Sequence, residues 1–280
     1  MADAVGRGIA REVGLGAARF LARQRFVVAS SSDVTGRVWA SVLTGPPGFA
    51  SALDPELVHL AVNPPDDDPL SPNLAVASPL GLLAIDLETR QRVRFNGRGV
   101  RSDGGIFLDI AQVYGNCPKY IQRRTIVATS DDAPGRAHVA RALTAAQRAR
   151  IEGADTLFIA SAHPDAGADA SHRGGAPGFV SVESETRLSF PDYPGNAMFN
   201  TLGNLSTQPN TGLLFVDFES GDVTRLTGRA RVAPDRRVTL DIDEVRETPR
   251  GCGLRFRFVD FSPAIPSLAN VTIPVTPASE

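Results

Sequence analysis

Two segments, GLLAIDLE at residues 81–88 and GLLFVDFE at residues 212–219, share one pattern of glycine, apolar and acidic residues at an offset of 131 positions. A short apolar run that starts at glycine and ends at an acidic residue is typical of a buried strand. Two further pairs of blocks recur at offsets of 130 and 131: GPPGFAS (45–51) with GAPGFVS (175–181), and Gly97-Arg98 with Gly228-Arg229. Three ordered matches predict two copies of one unit of about a hundred residues.

Each copy is predicted to begin with a helix. Val13 to Gln24 carries a helical apolar stripe, and the second helix, at 144–153, has a capping box of Thr144 and Gln147 and ends at Gly153. Apolar, β-branched runs between turn residues predict strands at 26–30, 81–87, 156–161, 212–218 and 253–261. We therefore predict a mainly β fold, a barrel or sandwich with short helices, whose two copies pack as a pseudo-dimer.

The predicted organisation has four parts. They are an N-terminal helical lead-in (1–25), a first copy (26–100), a connector (101–143) and a second copy (144–280). Sites at the interface of a pseudo-dimer arise in symmetric pairs, and one of a pair can decay after duplication. The differences between the copies are therefore where a function is expected.

Composition excludes several classes of protein. A net charge of −2 argues against a sequence-independent nucleic-acid binder, and no apolar run approaches the ~20 residues that span a bilayer. The 2 cysteines and 4 scattered histidines have no metal-ligand spacing. The start of the chain does not resemble a signal peptide. We expect a cytoplasmic protein with no nucleic-acid partner, no membrane partner and no bound metal.

The first difference between the copies lies just before the shared Gly-Phe block. Copy one has Val42-Leu43, and copy two has His172-Arg173 followed by Gly174 and Gly175. The planar fork of an arginine suits an anion, and glycines let a ligand approach the backbone closely. The alternative is a surface arginine beside a glycine turn.

The second difference is a polar, glycine-containing stretch at residues 190–204, where copy one has only an acidic turn, Asp66-Asp67-Asp68. Asparagine and tyrosine side chains suit the polar edge of a heterocycle or a phosphate. A short helix beginning at Asn200 would favour an anion at its N-terminus. An Asn/Gly-rich loop without a ligand remains the alternative.

The third feature is the connector block GNCPKYIQRR at residues 115–124. Pro118 predicts the start of a helix that places Lys119, Gln122 and Arg123 on one face. Lys119 is the single lysine among 29 basic residues, a bias that codon usage explains well. A cofactor-facing role for Lys119 and a plain amphipathic connector both remain open.

The second copy resembles the pyridoxamine 5′-phosphate oxidase-like family of flavin-binding split β-barrels. The resemblance rests on SHRGGAPGF at 171–179, on PDYPGNAMFNTLGN at 191–204 and on GLLFVDF at 212–218, and GNCPKYIQ at 115–122 resembles a block of two-copy members. It implies tandem split β-barrels with FMN at their interface. Some members use deazaflavins or handle haem, so the resemblance leaves the exact flavin open.

Carried over residue by residue, the resemblance implies a cofactor site built mainly from copy two, with one site per chain. The implied cofactor-binding residues are Ser171, His172, Arg173, Gly174, Gly175, Pro191, Asp192, Tyr193, Asn196, Phe199, Asn200, Asn204, Lys119, Tyr120 and Gln122. Catalytic residues are not assigned, because only His172 and Tyr193 are of a type suited to acid or base chemistry.

Three functions follow as alternatives. The first is an FMN-dependent oxidoreductase that acts between an electron donor and an unidentified small molecule. The second is a flavin-binding or electron-transfer protein without its own turnover, and the third is a barrel pair that has lost its cofactor. The elements of a true pyridoxamine 5′-phosphate oxidase that bind its substrate are not found, so vitamin B6 oxidation is not implied. Whether whole chains form a homodimer is left open.

Overall fold

The computed structural model describes residues 8–130, 132–194 and 200–266. Within these ranges the fold is mainly β, as predicted. The elements of the first half are α1 (Leu15–Ala22), β1 (Phe26–Ser32), β2 (Val38–Thr44), β3 (Ala50–Ala52), β4 (Leu57–Leu60), α2 (Leu70–Asn73), β5 (Ser78–Asp86), β6 (Gln91–Ser102) and β7 (Gly105–Gly115). Those that follow are β8 (Arg123–Thr129), β9 (His138–Ala140), α3 (Ala145–Gly153), β10 (Thr156–His163), β11 (Gly167–Gly174), β12 (Ser181–Ser184), β13 (Arg187–Pro191), α4 (Asn200–Thr207), β14 (Asn210–Val216), β15 (Val223–Val232), β16 (Arg237–Thr248) and β17 (Leu254–Asp260).

Two antiparallel sheets share one strand order. The first is β2-β1-β5-β6-β7-β4-β3, and the second is β11-β10-β14-β15-β16-β13-β12, with β9 added beside β16. The registers also agree. Val28 pairs with Val42 and Leu83 in the first sheet, and Phe158 pairs with His172 and Leu214 at the equivalent positions of the second. Equivalent strand positions therefore differ by 130 or 131 residues, as the sequence blocks predict.

A pair of glycines marks the same irregularity in both sheets. A register shift falls between Asn96 and Gly97 in β6, and between Thr227 and Gly228 in β15. A Cβ atom at Gly97 would lie 1.8 Å from the carbonyl oxygen of Asp109, and one at Gly228 would lie 2.0 Å from that of Asp241. Only glycine lets the bulged strand come this close to its neighbour.

The second predicted helix forms for the reason that the sequence gives. The Thr144 side chain accepts from the Gln147 backbone N–H at 3.2 Å, and the Thr144 N–H donates to the Gln147 side chain at 2.9 Å. This capping box starts α3 at Ala145. The helix ends at Gly153, directly before β10.

Two predictions about the connector are wrong. The first sheet continues through β7 to Gly115, so it does not end at residue 100. Residues 118–122 form a turn rather than a helix, because Tyr120 adopts a left-handed φ of 69°. The later part of the connector forms β8, which pairs with β17 in a separate two-stranded sheet.

Among the described residues the buried apolar side chains form three clusters. One lies in each half, around Phe95 and around Phe190. The third lies between the sheets and takes the opposite face of the same strands, for example Phe26 and Val28 of β1 and Phe158 of β10. Alternate strand residues thus serve a local core and a shared interface, which packs the two sheets as a pseudo-dimer.

Two reciprocal glycines set the closest approach of the sheets. A Cβ at Gly81 of β5 would lie 2.6 Å from the Ala168 carbonyl oxygen of β11, and one at Gly212 of β14 would lie 2.7 Å from the Val38 carbonyl oxygen of β2. The same contact made twice, with the roles of the halves exchanged, is the mark of an isologous interface.

Candidate functional site

A cavity of about 260 Å³ lies where the two halves meet. It is lined by β6 of the first sheet, the connector at 116–120, β11, the residues that follow β13, the start of α4 and the turn between β15 and β16. We call it the cationic cavity, because five of its described lining side chains are basic and one is a carboxylate: Arg92, Arg94, Lys119, Arg173, Arg236 and Asp192.

Arg94 is fixed in a buried network behind the cavity wall. Its guanidinium donates to both carboxylate oxygens of Asp169, at 3.1 and 2.9 Å, and to the Ser171 hydroxyl at 2.6 Å. The Tyr114 hydroxyl donates to the same carboxylate at 2.9 Å and accepts from Asn200 Nδ2 at 2.7 Å. Burial, with the charge of Asp169 second, raises the pKa of Tyr114 to about 12. This network joins both sheets to the start of α4.

Arg92 differs from the other lining arginines in its partners. Its guanidinium donates to the Cys117 carbonyl at 2.7 Å and lies 3.4 Å from His172 Nδ1, and it has no carboxylate partner in the described chain. Burial, followed by the charges of Arg94 and Arg173, lowers the pKa of Arg92 to about 9. A buried cation that faces two others is a position where an added anion is stabilised.

The arginine on β11 and the one in the β15–β16 turn share one counter-ion. Asp192 is 8% exposed. Its Oδ1 lies 2.9 Å from Arg173 Nε, and its Oδ2 accepts from Arg236. Both carboxylate oxygens are therefore engaged by guanidinium groups.

His172 is a neutral side chain. Burial, and then the charges of Arg92 and Arg173, hold the pKa of His172 well below its usual range. Because a guanidinium can only donate, the contact with Arg92 makes Nδ1 the acceptor and places the ring proton on Nε2. Nε2 is buried and has no partner among the described residues. His172 is therefore unsuited to act as an acid near neutral pH.

Two tyrosines form the aromatic part of the lining. The rings of Tyr120 and Tyr193 lie 5.3 Å apart at an angle of 41°, and the Tyr120 hydroxyl donates to the Pro194 carbonyl at 2.8 Å. Burial raises the pKa of both tyrosines, so both stay protonated near neutral pH. They offer flat apolar surface together with a hydroxyl group.

The structure gathers nine of the predicted site residues around this cavity. They are Lys119, Tyr120, His172, Arg173, Gly174, Pro191, Asp192, Tyr193 and Asn200. The predicted helix after residue 199 is also present and begins at Asn200. Two predicted residues, Asn196 and Phe199, lie outside the described residues.

Four predicted residues have contacts elsewhere. Ser171 holds Arg94 from behind the wall, and Gln122 is buried and donates to the Gly175 carbonyl at 3.0 Å. Asn204 donates to the Ser161 hydroxyl at 2.9 Å and so ties α4 to β10. Gly175 lies under Phe179, where a Cβ would come within 2.4 Å of the ring.

The structure gives the glycine pair a reason that the sequence did not suggest. A Cβ at Gly174 would lie 1.9 Å from the Tyr120 carbonyl oxygen. Gly174 therefore admits the connector, and Gly175 admits the Phe179 ring, so contacts within the chain account for both glycines. The pair Gly45 and Phe49 makes the second kind of contact in the first half as well.

The sequence reasoning missed three lining arginines: Arg92, Arg94 and Arg236. Arg92 and Arg94 are two residues apart in one strand and so share a face, which was a readable signal. The position equivalent to Arg92 in the second sheet is Val223, since Ile85 pairs with Arg92 as Val216 pairs with Val223. For Arg236, which lies in a turn, no sequence signal points to the cavity.

A second position, related to the cavity by the exchange of the halves, is apolar. Strand register makes Val42, Leu43 and Val223 the equivalents of His172, Arg173 and Arg92. All three are buried in the apolar clusters. Thr44 is the equivalent of Gly174. Its hydroxyl donates to the Cys252 carbonyl at 2.8 Å, whereas Gly174 lies against the Tyr120 carbonyl. We call this the sealed position.

Comparison with known proteins finds a family that the second half resembles. The sequence model of pyridoxamine 5′-phosphate oxidase matches residues 143–247, from the start of α3 through most of β16. Residues 143–247 are therefore similar to a pyridoxamine 5′-phosphate oxidase domain. This segment contributes lining residues from β11, from the end of β13 and the residues after it, from the start of α4 and from the β15–β16 turn.

Solved structures resemble parts of the chain only distantly. A HupZ variant of Group A Streptococcus is 11% identical, with a TM-score of 0.32, over 38% of this chain and 98% of that chain. A candidate pyridoxamine 5′-phosphate oxidase of Lactobacillus delbrueckii is 16% identical, with a TM-score of 0.31, over 37% of this chain and 93% of its own. No curated protein sequence matches the chain. Across the described ranges, no helix is long and apolar enough to cross a membrane.

Proposed function

We propose that the chain binds one FMN in the cationic cavity and is an FMN-dependent oxidoreductase. The observation that carries this proposal is the charge of the cavity: five basic side chains and one carboxylate face it, next to two tyrosine rings. FMN combines a phosphate with a flat heterocycle, which fits this set of residues. The pyridoxamine 5′-phosphate oxidase-like domain, which contributes most of the lining, supports the choice of a flavin.

The phosphate is best matched by the arginines. Arg92 has no carboxylate partner in the described chain, and Arg173 and Lys119 line the same cavity. An arginine fork can donate two parallel hydrogen bonds to phosphate oxygens. The start of α4 at Asn200 and Thr201 adds backbone N–H groups that favour negative charge.

The ring is best matched by the tyrosines and the connector. Tyr120 and Tyr193 provide aromatic surface, and Asn200 and the Gly174 backbone provide polar groups beside it. When bound, the cofactor supplies hydride or electron transfer, and the protein supplies its position and its electrostatic surroundings. The surrounding positive charge favours the more negative, reduced state of such a ring.

One observation favours a second candidate, an electron-transfer or flavin-carrying protein without its own turnover. The histidine and the two tyrosines of the described lining have no pKa that moves towards neutrality: that of His172 falls, and those of Tyr120 and Tyr193 rise. A site whose histidine and tyrosines donate no proton near neutral pH is compatible with one that only holds and passes electrons.

We also infer that the two halves descend from one duplicated unit. The equal strand order, the constant offset of 130 or 131 residues and the matching glycine bulges support this origin. One ancestral site on each side of the interface would then have become the cationic cavity and the sealed position.

The experiment is a titration of the purified protein with FMN, followed by flavin absorbance and by quenching of flavin fluorescence. We expect saturable binding, and anaerobic bleaching by NADH or NADPH if the chain is an enzyme. Binding without bleaching by either nucleotide favours the carrier. A protein that takes up no FMN contradicts both candidates.

A variant that copies the sealed position provides the specific test. The double change His172→Val with Arg173→Leu gives the cavity the residues found at 42 and 43. We expect it to keep the fold and to lose FMN affinity by at least about a hundredfold, since each charged contact contributes about 1.5–3 kcal/mol. The matched control is Arg231→Leu, which removes an exposed arginine whose ion pair in the described chain is with Asp241. FMN affinity should not change in this control.

A further inference from the structure

The four arginines of the cationic cavity are not equally available to a ligand. Arg94 is held by Asp169, and Arg173 and Arg236 are both held by Asp192. Arg92 is the arginine of this group with no carboxylate partner in the described chain. An incoming anion therefore meets one guanidinium without a carboxylate partner in the described chain and three that already have an internal anion.

Asp192 has the geometry of a bound anion. It lies at the end of β13, lines the cavity and is 8% exposed, and each of its oxygens faces a different guanidinium. A phosphate placed in the same cavity would seek those guanidinium groups. A carboxylate and a phosphate cannot both satisfy the same arginine donors fully.

The two arginines do not depend on that carboxylate for their place in the fold. Arg173 is a residue of β11 and donates to the His172 carbonyl at 3.2 Å. Arg236 lies in the β15–β16 turn, where its backbone N–H donates to the Ala233 carbonyl at 2.8 Å. The Asp192 backbone N–H donates to the Arg236 carbonyl at 2.9 Å, and this bond survives a change of side chain.

We propose that Asp192 is an internal counter-ion that competes with the ligand's phosphate for Arg173 and Arg236, and so sets the anion affinity of the cavity. Arg92 is then the guanidinium that makes the uncontested contact. The proposal rests on the proposed function only for the identity of the ligand, since any phosphate-bearing molecule would meet the same competition.

The proposal fixes opposite signs for two substitutions. Asp192→Asn removes the competing charge and keeps the size of the side chain, so affinity for FMN and for inorganic pyrophosphate should rise, by about tenfold at low salt. The gain should shrink as salt is added, because it is electrostatic. Arg92→Val, which copies Val223, should lower affinity for both ligands by a similar or larger factor.

The matched control is another carboxylate held between two arginines. Asp241 contacts Arg187 at 2.6 Å and Arg231 at 2.9 Å, outside the cavity. Asp241→Asn therefore removes the same kind of ion pair without changing the charge that faces the ligand. Its affinity for FMN and pyrophosphate should equal that of the wild type.

The test is a calorimetric titration of the four full-length proteins with FMN and, separately, with pyrophosphate, at low and high salt. Tighter binding of both ligands by Asp192→Asn alone supports the proposal. Weaker or unchanged binding in this variant overturns it, and so does weaker binding of FMN alone, since Asp192 would then contact the ring.

The same titrations separate this proposal from the proposed function. If the wild type binds pyrophosphate but not FMN, and Asp192→Asn binds pyrophosphate more tightly, the flavin assignment fails and the counter-ion proposal stands. If neither protein binds either anion, the counter-ion proposal is overturned. Thermal melting gives an independent reading: Asp192→Asn should melt lower than the wild type without ligand and show the larger rise with pyrophosphate.

Discussion

The cationic cavity and the sealed position occupy equivalent places in the two halves, but charged side chains line the first and apolar side chains fill the second. In the cavity, His172 and Arg173 of β11 face Arg92 of β6. At the sealed position, Val42 and Leu43 of β2 and Val223 of β15 are buried in apolar clusters. The same backbone framework therefore supports either a charged opening or a closed core.

This difference shows that one position of the interface stabilises the fold and the equivalent position destabilises it. Burying valine and leucine stabilises the fold by about 1.5–3 kcal/mol for each side chain. Grouping guanidinium charges destabilises it, and burial together with neighbouring cations lowers the pKa of Arg92 to about 9. The cavity keeps this unfavourable charge, which an incoming anion would relieve. We read the charge as the mark of the working site.

The largest expected effect comes from placing a charge in the sealed position. Leu43 is buried in the first core, and Leu43→Arg would put a guanidinium there without a partner. We expect a loss of about 3–5 kcal/mol in the free energy of unfolding, measured by urea denaturation. Arg173→Leu should cost far less, since an apolar residue replaces a charged one of the cavity. Equal costs for the two changes would erase the distinction between the positions.

A matched pair of alanine substitutions compares the backbone contacts. Gly174→Ala places a Cβ against the Tyr120 carbonyl and so overpacks the contact with the connector. We expect the free energy of unfolding to fall by about 1–3 kcal/mol. Thr44→Ala removes the hydrogen bond to the Cys252 carbonyl and should cost about 1 kcal/mol. FMN affinity should fall only in the first variant. A Gly174→Ala protein with full stability and affinity would mean that Tyr120 can move freely.

His172 should make the stability of the protein depend on pH, whereas its equivalent Val42 has no group that titrates. Since the pKa of His172 is lowered below 6.5 in the fold, the unfolded chain takes up a proton first as the pH falls below about 6.5. His172 therefore lowers stability on acidification, by at most about 1.4 kcal/mol per pH unit. His172→Val should remove that slope. Denaturation between pH 7.5 and about 5 measures it, and identical slopes for the two proteins would contradict a buried neutral imidazole.

The smallest expected effect tests a correction to the sequence prediction. Asn204 bonds to Ser161 on β10, away from the cavity, whereas Asn200 lines it. Asn204→Ala should change FMN affinity by less than about twofold, and Asn200→Ala should reduce it more. Fluorescence titration compares the two variants. A large loss of affinity in Asn204→Ala would return that residue to the site.

Local chemistry in the sequence predicted much of the fold. The capping box of Thr144 and Gln147, the apolar strand runs and the repeated glycines are signals carried by neighbouring residues, and each describes an element that forms. The turn at 118–122 shows the limit of such signals. Pro118 favours a helix start, but the left-handed Tyr120, whose carbonyl lies over Gly174, sets the path of the chain.

The sequence predicted most of the candidate site that lies in the second half and in the connector, and it missed the part contributed by the first sheet. Arg173 belongs to the block at 171–179, and Asp192 and Tyr193 belong to the block at 191–204. Arg92 is contributed by a strand of the other sheet, 81 positions earlier in the chain than Arg173. The pairing of Asp192 with Arg236 likewise depends on a contact between strands β13 and β16 that no local pattern reveals. Charged partners that are far apart in the sequence could therefore be identified only from the structure.

The most direct test of the account is the number of FMN molecules bound by each chain. Two equivalent positions, of which one is charged and one is apolar, predict a single saturable site. Titration of a known protein concentration to saturation, with flavin absorbance as the readout, should reach one FMN per chain. A value of two would mean that the sealed position is open, and a value of zero would contradict FMN binding in the cationic cavity.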